Sequence, residues 1–125
     1  MVTCLLDTAV LVDLVRKHPP ALNWIAAQNQ PGTCSIVWLE MLQGAQNKQD
    51  QQKALKLLRS FEKVDVEVVD IDWAIASLLK YGLSHNVGAL DCLIASVTYR
   101  LQIPLYTRNL KHFTPLIGSL AQSPY

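Results

Sequence analysis

The sequence predicts a single α/β domain over residues 1–125, with a mostly parallel central sheet of four to five strands flanked by helices on both faces. Three observations carry that expectation. Short β-branched or apolar runs alternate along the chain with stretches of helical periodicity, the pattern of a parallel sheet covered by helices. Half of the residues are hydrophobic and only 17% are charged, the balance of a packed core rather than of a disordered chain. At 125 residues the chain is also long enough to bury that core as one unit.

Each element has its own signal. Residues 2–6 (VTCLL) read as a buried strand. Thr8 is placed to cap a helix carrying Val10, Leu11, Leu14 and Val15, which stops near His18-Pro19-Pro20 because proline cannot continue it. A short helix over 21–27 precedes the Pro31-Gly32 turn, residues 33–36 form a second strand, and Ser35 stands where it can cap the helix that contains Glu40. The polar stretch 46–52 reads as a loop leading into a helix over 50–61. Val64, Val66 and Val68 alternate with Asp65 and Glu67, as in a strand with one wet face. Asp70 is placed to cap a helix reaching Tyr81-Gly82, and the next helix begins near Asp91, with Leu90, Ile94, Val97 and Leu101 on one side. A strand over 103–106, the Thr107-Arg108-Asn109 turn, a short helical turn and a tail supplying an edge strand complete the chain.

Composition narrows the function classes. Eleven basic and ten acidic residues give a net charge of +1, so no broad basic surface advertises nucleic acid, and any polyanion must be met by a local patch or a metal ion. Cys4, Cys34 and Cys92 are odd in number and lack metal-ligand spacing, which makes them buried hydrophobes of a reducing compartment. Asp7 interrupts the first apolar stretch before a secretory signal can form, and no run approaches the roughly 20 residues of a membrane span. The expected location is the cytoplasm. The apolar excess, with Trp24, Trp38 and Trp73, suits a face covered by a partner or a second copy.

Three acids stand in apolar company: Asp7 in LLDTAVLVDL, Glu40 in SIVWLEMLQG and Asp91 in GALDCLIASV. Singly, each has an ordinary explanation as a cap, a solvated helix residue or a favourable charge at a helix start. Together they suggest more. In a parallel α/β sheet ligands bind at the carboxyl ends of the strands, where Asp7 and the turn at 107–109 should lie and toward which two helix starts could aim Glu40 and Asp91. Carboxylates crowded there repel one another unless a cation offsets them. Hard ions such as Mg2+ or Mn2+ take oxygen ligands and support attack of water on a phosphodiester. Ala9 stands where haloacid-dehalogenase-type phosphotransferases carry a second carboxylate. Receiver domains need an acidic pair and a lysine that are missing here.

The blocks LLDTAVLVDL, SIVWLEMLQGA, LDCLIASVTYRLQIPLYTRN and LKHF resemble, in order and spacing, the PIN-domain ribonucleases, most nearly the VapC-type toxins of toxin–antitoxin pairs. The resemblance spans nearly the whole chain. It implies a PIN-like fold and a Mg2+- or Mn2+-dependent endoribonuclease neutralised by a small VapB-type antitoxin, acting as a homodimer or within a larger toxin–antitoxin complex. It makes Asp7, Glu40 and Asp91 metal ligands, Thr8 and Ser35 polar supports of the site, and Thr107 a residue lining it. Asn109 occupies a place where many relatives carry a fourth acid, and Ala9 one where a polar residue is common. Arg108 is the residue expected to meet RNA phosphate, since a guanidinium fork suits phosphate oxygens. His85 and His112 read as surface or packing residues. The alternative function is a catalytically inactive PIN-like module that binds a protein or RNA partner.

Overall fold

The computed structural model describes residues 1–125. Its elements, in chain order, are β1 (Cys4–Leu6), α1 (Thr8–Val15), α2 (Pro19–Ala26), β2 (Pro31–Cys34), α3 (Ser35–Gln43), α4 (Lys48–Arg59), β3 (Glu62–Val64), α5 (Val68–His85), α6 (Ala89–Leu101), β4 (Leu105–Tyr106), α7 (Leu110–Ile117), a 3-10 turn over Gly118–Leu120 and β5 (Ala121–Gln122). The strands form one five-stranded sheet in the order β3-β2-β1-β4-β5. Every pairing is parallel, as the alternation of elements predicts.

Strand order locates the site. The chain steps outward from β1 through β2 to β3, then crosses back to β4 on the other side of β1. Right-handed crossovers accordingly put α1–α4 on one face and α5–α7 on the other. Contacts agree: α1, α3 and α4 pack together, as do α5, α6 and α7. The strand order reverses between β1 and β4, so a crevice opens at their carboxyl ends. Asp7 and Thr107 are the residues that leave those two ends.

The core is a single cluster of 22 buried apolar residues, with Leu5 and Leu6 of β1, Val10 and Leu11 of α1, Ile94 and Val97 of α6 and Phe113 of α7 at its centre. All three cysteines are buried and free, and desolvation raises their thiol pKa values, as expected of inert packing residues. Trp24, Trp38 and Trp73 also pack on this cluster. Trp24 lies edge-on to Tyr106 at 4.7 Å, Trp38 Nε1 donates to Thr33 Oγ1 at 3.0 Å, and Trp73 stacks on Tyr99 at 5.2 Å. The apolar surface left for a partner lies elsewhere, on α5. Val68, Val69, Ile71, Ile75, Leu79 and Leu83 are all exposed there, with Leu79 at 83% and Leu83 fully open. No helix is long and apolar enough to cross a membrane.

Local chemistry moves several boundaries. Pro19 and Pro20 end α1 and also open α2, because the first turn of a helix needs no amide donor. Asn47 caps α4 by accepting from the Asp50 amide at 2.8 Å, which turns residues 48–52 of the expected 46–52 loop into helix. The largest correction is at 64–68. The alternating valines predict a strand through Val68, yet β3 stops at Val64 and α5 starts at Val68. Glu67 and Asp70 form a reciprocal capping box, with the Glu67 amide donating to Asp70 Oδ2 at 2.8 Å. Asp70 is thus the third helical position, not the cap. The 110–117 segment forms two full turns of helix, longer than the expected short turn.

Candidate active site

Asp7 is the N-cap of α1, but its side chain makes no capping bond. The carboxylate turns instead across the β1–β4 seam, where Oδ2 accepts from Thr107 Oγ1 at 2.7 Å. Sheet bonds set this geometry on both sides: the Asp7 amide donates to the Tyr106 carbonyl at 3.0 Å and the Thr107 amide to the Gln122 carbonyl at 2.9 Å. The Thr107 hydroxyl also accepts from the Asn109 amide at 2.9 Å, tying the start of α7 to the same point. Thr107 is fully buried and Asp7 is only 7% exposed.

The other two acids arrive on helices. Glu40, on α3, accepts at Oε1 from Thr8 Oγ1 at 2.6 Å, so Thr8 spends its hydroxyl linking two acidic segments rather than capping α1. Asp91 lies in the first turn of α6, with Oδ2 at 3.3 Å from His112 Nδ1. His112 Nδ1 is also 2.9 Å from the Asn109 side-chain nitrogen Nδ2. Burial raises the Asp7 pKa above the ordinary carboxylate range against the opposing Thr107 and Thr8 hydrogen bonds, and the charges of Glu40 and Asp91 raise it further. The three carboxylates therefore share one electrostatic neighbourhood. They do not close into a cage, because no three Asp, Glu, His or Cys side chains stand within one ion's reach. Such a set suits a hydrated hard cation, since Mg2+ keeps several waters and takes one or two carboxylates.

The remaining residues named from sequence divide. Ser35 is the first residue of α3, capped by Cys34, and its hydroxyl accepts from the Val66 amide at 3.4 Å, so it fastens the β3–α5 connection. Arg108 is half exposed and already engaged, with Nη1 donating to Asp13 Oδ2 at 2.7 Å and its guanidinium 5.9 Å from the Tyr125 ring. The Tyr125 hydroxyl donates to the same Asp13 oxygen. Asp13 is a polar neighbour that sequence reasoning passed over, and His112, read from sequence as a surface or packing residue, is a second polar neighbour of the acids. For Asp13 the signal was an acid inside the apolar VLVDLV run, and for His112 its place three residues after Asn109 on one helical face. Beside Glu40 and Thr8 an open cleft of about 410 Å³ runs between α1, α3 and α4, lined also by Val12, Arg16, Met41 and Ala54.

Comparison with known proteins agrees with this architecture. A family model described as PIN domain matches residues 4–113. No curated protein sequence matches the chain. Among solved structures, the chain is similar to a toxin–antitoxin complex from Klebsiella pneumoniae, at 24% identity and TM-score 0.81, covering 98% of each chain. It is similar to VapBC2 from Rickettsia felis bound to a promoter DNA fragment, at 26% identity and TM-score 0.78, again over 98% of each chain. It also matches DNA-bound VapBC from Salmonella typhimurium at 19% identity and TM-score 0.78, over 100% of each chain.

Proposed function

The chain belongs to the PIN-domain family, and from that premise we propose that it is a Mg2+- or Mn2+-dependent endoribonuclease, the toxin of a toxin–antitoxin pair. The observation that carries this is the costly placement of Asp7. A buried carboxylate held in place by Thr107, with two further acids raising the cost of its charge, is what a cation-binding centre needs and what packing alone would avoid. Asp7, Glu40 and Asp91 would hold a hydrated ion between them, one or two of them directly and the remainder through its waters. When bound, it would lower the charge barrier to attack on an RNA phosphodiester. Thr107 and Thr8 keep two of the carboxylates aimed, and Asn109 extends the same turn toward His112. Arg108 exchanges its Asp13 partner for a substrate phosphate.

The partners follow the same logic. The similar structures from Rickettsia and Salmonella are VapBC complexes, and a VapB-type antitoxin fits here as a segment laid into the α1–α3–α4 cleft that ends at Glu40. The unpartnered apolar face of α5 suits a homodimer contact. Incubating the purified protein with total RNA and either ion tests the activity. Cleavage that disappears in EDTA and in Asp7→Asn is the expected result. RNA or protein binding without cleavage in both ions would replace the nuclease with an inactive interaction module.

A further inference from the structure

We propose that Tyr125, with Trp24 behind it and Arg108 beside it, forms a platform on which one unpaired base of an RNA strand stacks while Arg108 takes that nucleotide's phosphate. The proposal rests on the RNA substrate argued above and adds the place where a base is held. Tyr125 lies beyond β5, and the buried Pro124 packs down the tail that carries it. Its ring is fixed from several sides. Trp24 of α2 meets it at 6.0 Å and 62°, and His18 at 5.9 Å and 55°. Trp24 is braced in turn by Tyr106, at 4.7 Å. The Tyr125 hydroxyl donates to Asp13, and yet the residue stays 38% exposed. A ring held this firmly without being covered avoids much of the ordering cost of capturing a ligand.

Charge and position select nucleic acid as the occupant. The Arg108 guanidinium stands 5.9 Å from the Tyr125 ring centre and pairs with Asp13 at 2.7 Å. Exposed Lys17 and His18 occupy the turn between α1 and α2. A flat π-face next to cations is the combination that binds single strands, the ring meeting a base and the cations meeting phosphates. Arg108 also follows Thr107, whose hydroxyl holds Asp7, and Asp13 lies about 9 Å along α1 from Asp7. A nucleotide neighbouring the phosphate at the carboxylates therefore reaches the platform. One nucleotide satisfies both halves of the resting pair: its phosphate draws off the guanidinium and its base takes the ring face. Asp13 is not stranded by the exchange, because the Tyr125 hydroxyl remains bonded to it.

Fluorescence anisotropy of a short, labelled single-stranded RNA in EDTA reads this face by itself, since no metal ion draws RNA to the carboxylates. Tyr125→Leu should weaken binding about tenfold and Tyr125→Phe less than about twofold, because phenylalanine keeps the ring and leucine does not. Arg108→Gln should lower the slope of log affinity against log salt by about 0.7. An RNA of the same length with abasic riboses should bind wild type as weakly as intact RNA binds Tyr125→Leu. Unchanged affinity in Tyr125→Leu, or an abasic RNA that binds wild type as tightly as the intact one, would overturn the proposal. Equal losses in the Leu and Phe variants would also overturn it, by making the hydroxyl's hold on Asp13 the whole effect. So would a dimer that dissociates in Tyr125→Leu by light scattering, which makes the face a contact between copies. No RNA binding in EDTA with Mg2+-dependent cleavage intact removes the platform alone. The expected binding pattern without cleavage in either ion keeps the platform and removes the nuclease.

Discussion

Replacing Asp7 by Asn should stabilise the fold while abolishing activity. The wild-type carboxylate is almost fully buried, and only Thr107 and the Thr8 amide oppose the desolvation and like-charge terms that raise its pKa. Asn keeps an acceptor oxygen for Thr107 Oγ1 and removes the charge. At neutral pH without metal, that relief is worth about 1–2 kcal/mol, the scale of an imperfectly compensated buried polar group. For a chain of this size it raises Tm by about 3–10 °C. The pH dependence has a definite sign. A carboxyl whose folded pKa lies above its ordinary value near 3.8 binds its proton more readily in the native state. Its favourable contribution is present below the ordinary value and lost as pH rises through the folded value. The advantage of Asn over Asp should therefore be largest above that folded value and shrink toward pH 4. Thermal unfolding followed by circular dichroism, in EDTA at several pH values, measures it. Mg2+ should then narrow the gap by stabilising only the wild type. A variant no more stable than wild type at pH 8 in EDTA, or an advantage that does not depend on pH, would refute the buried-charge account of the site.

Other substitutions test other parts of the structure. Thr107→Val removes both the donor to Asp7 and the acceptor for the Asn109 amide, and should cost about 2 kcal/mol in urea unfolding as well as metal affinity by calorimetry. Arg100→Met strips Asp70, only 2% exposed, of its 2.9 Å partner, and a loss of about 3 kcal/mol is expected from leaving that charge unpaired. Leu79→Glu with Leu83→Glu on the open face of α5 should leave monomer stability within about 0.5 kcal/mol of wild type. The same pair should convert a dimer to a monomer in light scattering. Gly32→Ala would bring a Cβ to 2.7 Å from Val2 Cγ1 and 3.1 Å from the Glu62 carbonyl, and the overpacking should lower stability by about 1–3 kcal/mol.

Much of the fold was legible because its signals are local. The prolines, the apolar strand at 4–6 and the long periodic segment of α6 announce themselves through backbone sterics and burial period. The stretch at 64–68 misled because alternating valines state a preference that is weak next to a specific competitor. The Glu67–Asp70 capping box, with Arg100 from α6 donating to Asp70, outweighs β propensity, and that arginine is 30 residues distant in sequence. Thr8 misled for the same reason, since Glu40 offers its hydroxyl a charged partner that a local cap cannot match.

By itself the sequence determined the order of strands and helices, the parallel sheet and the presence of acids among apolar neighbours, because each depends on a residue and its immediate flanks. Only the tertiary structure decided what those acids meet. Thr107 reaches Asp7 across 100 residues, Ser35 turns away to the β3–α5 connection, and His112 comes to rest against Asp91. Hydrogen bonds and charge interactions act over a few ångströms of space, and which remote segments come within that range is set by the β1–β4 seam, not by any local pattern.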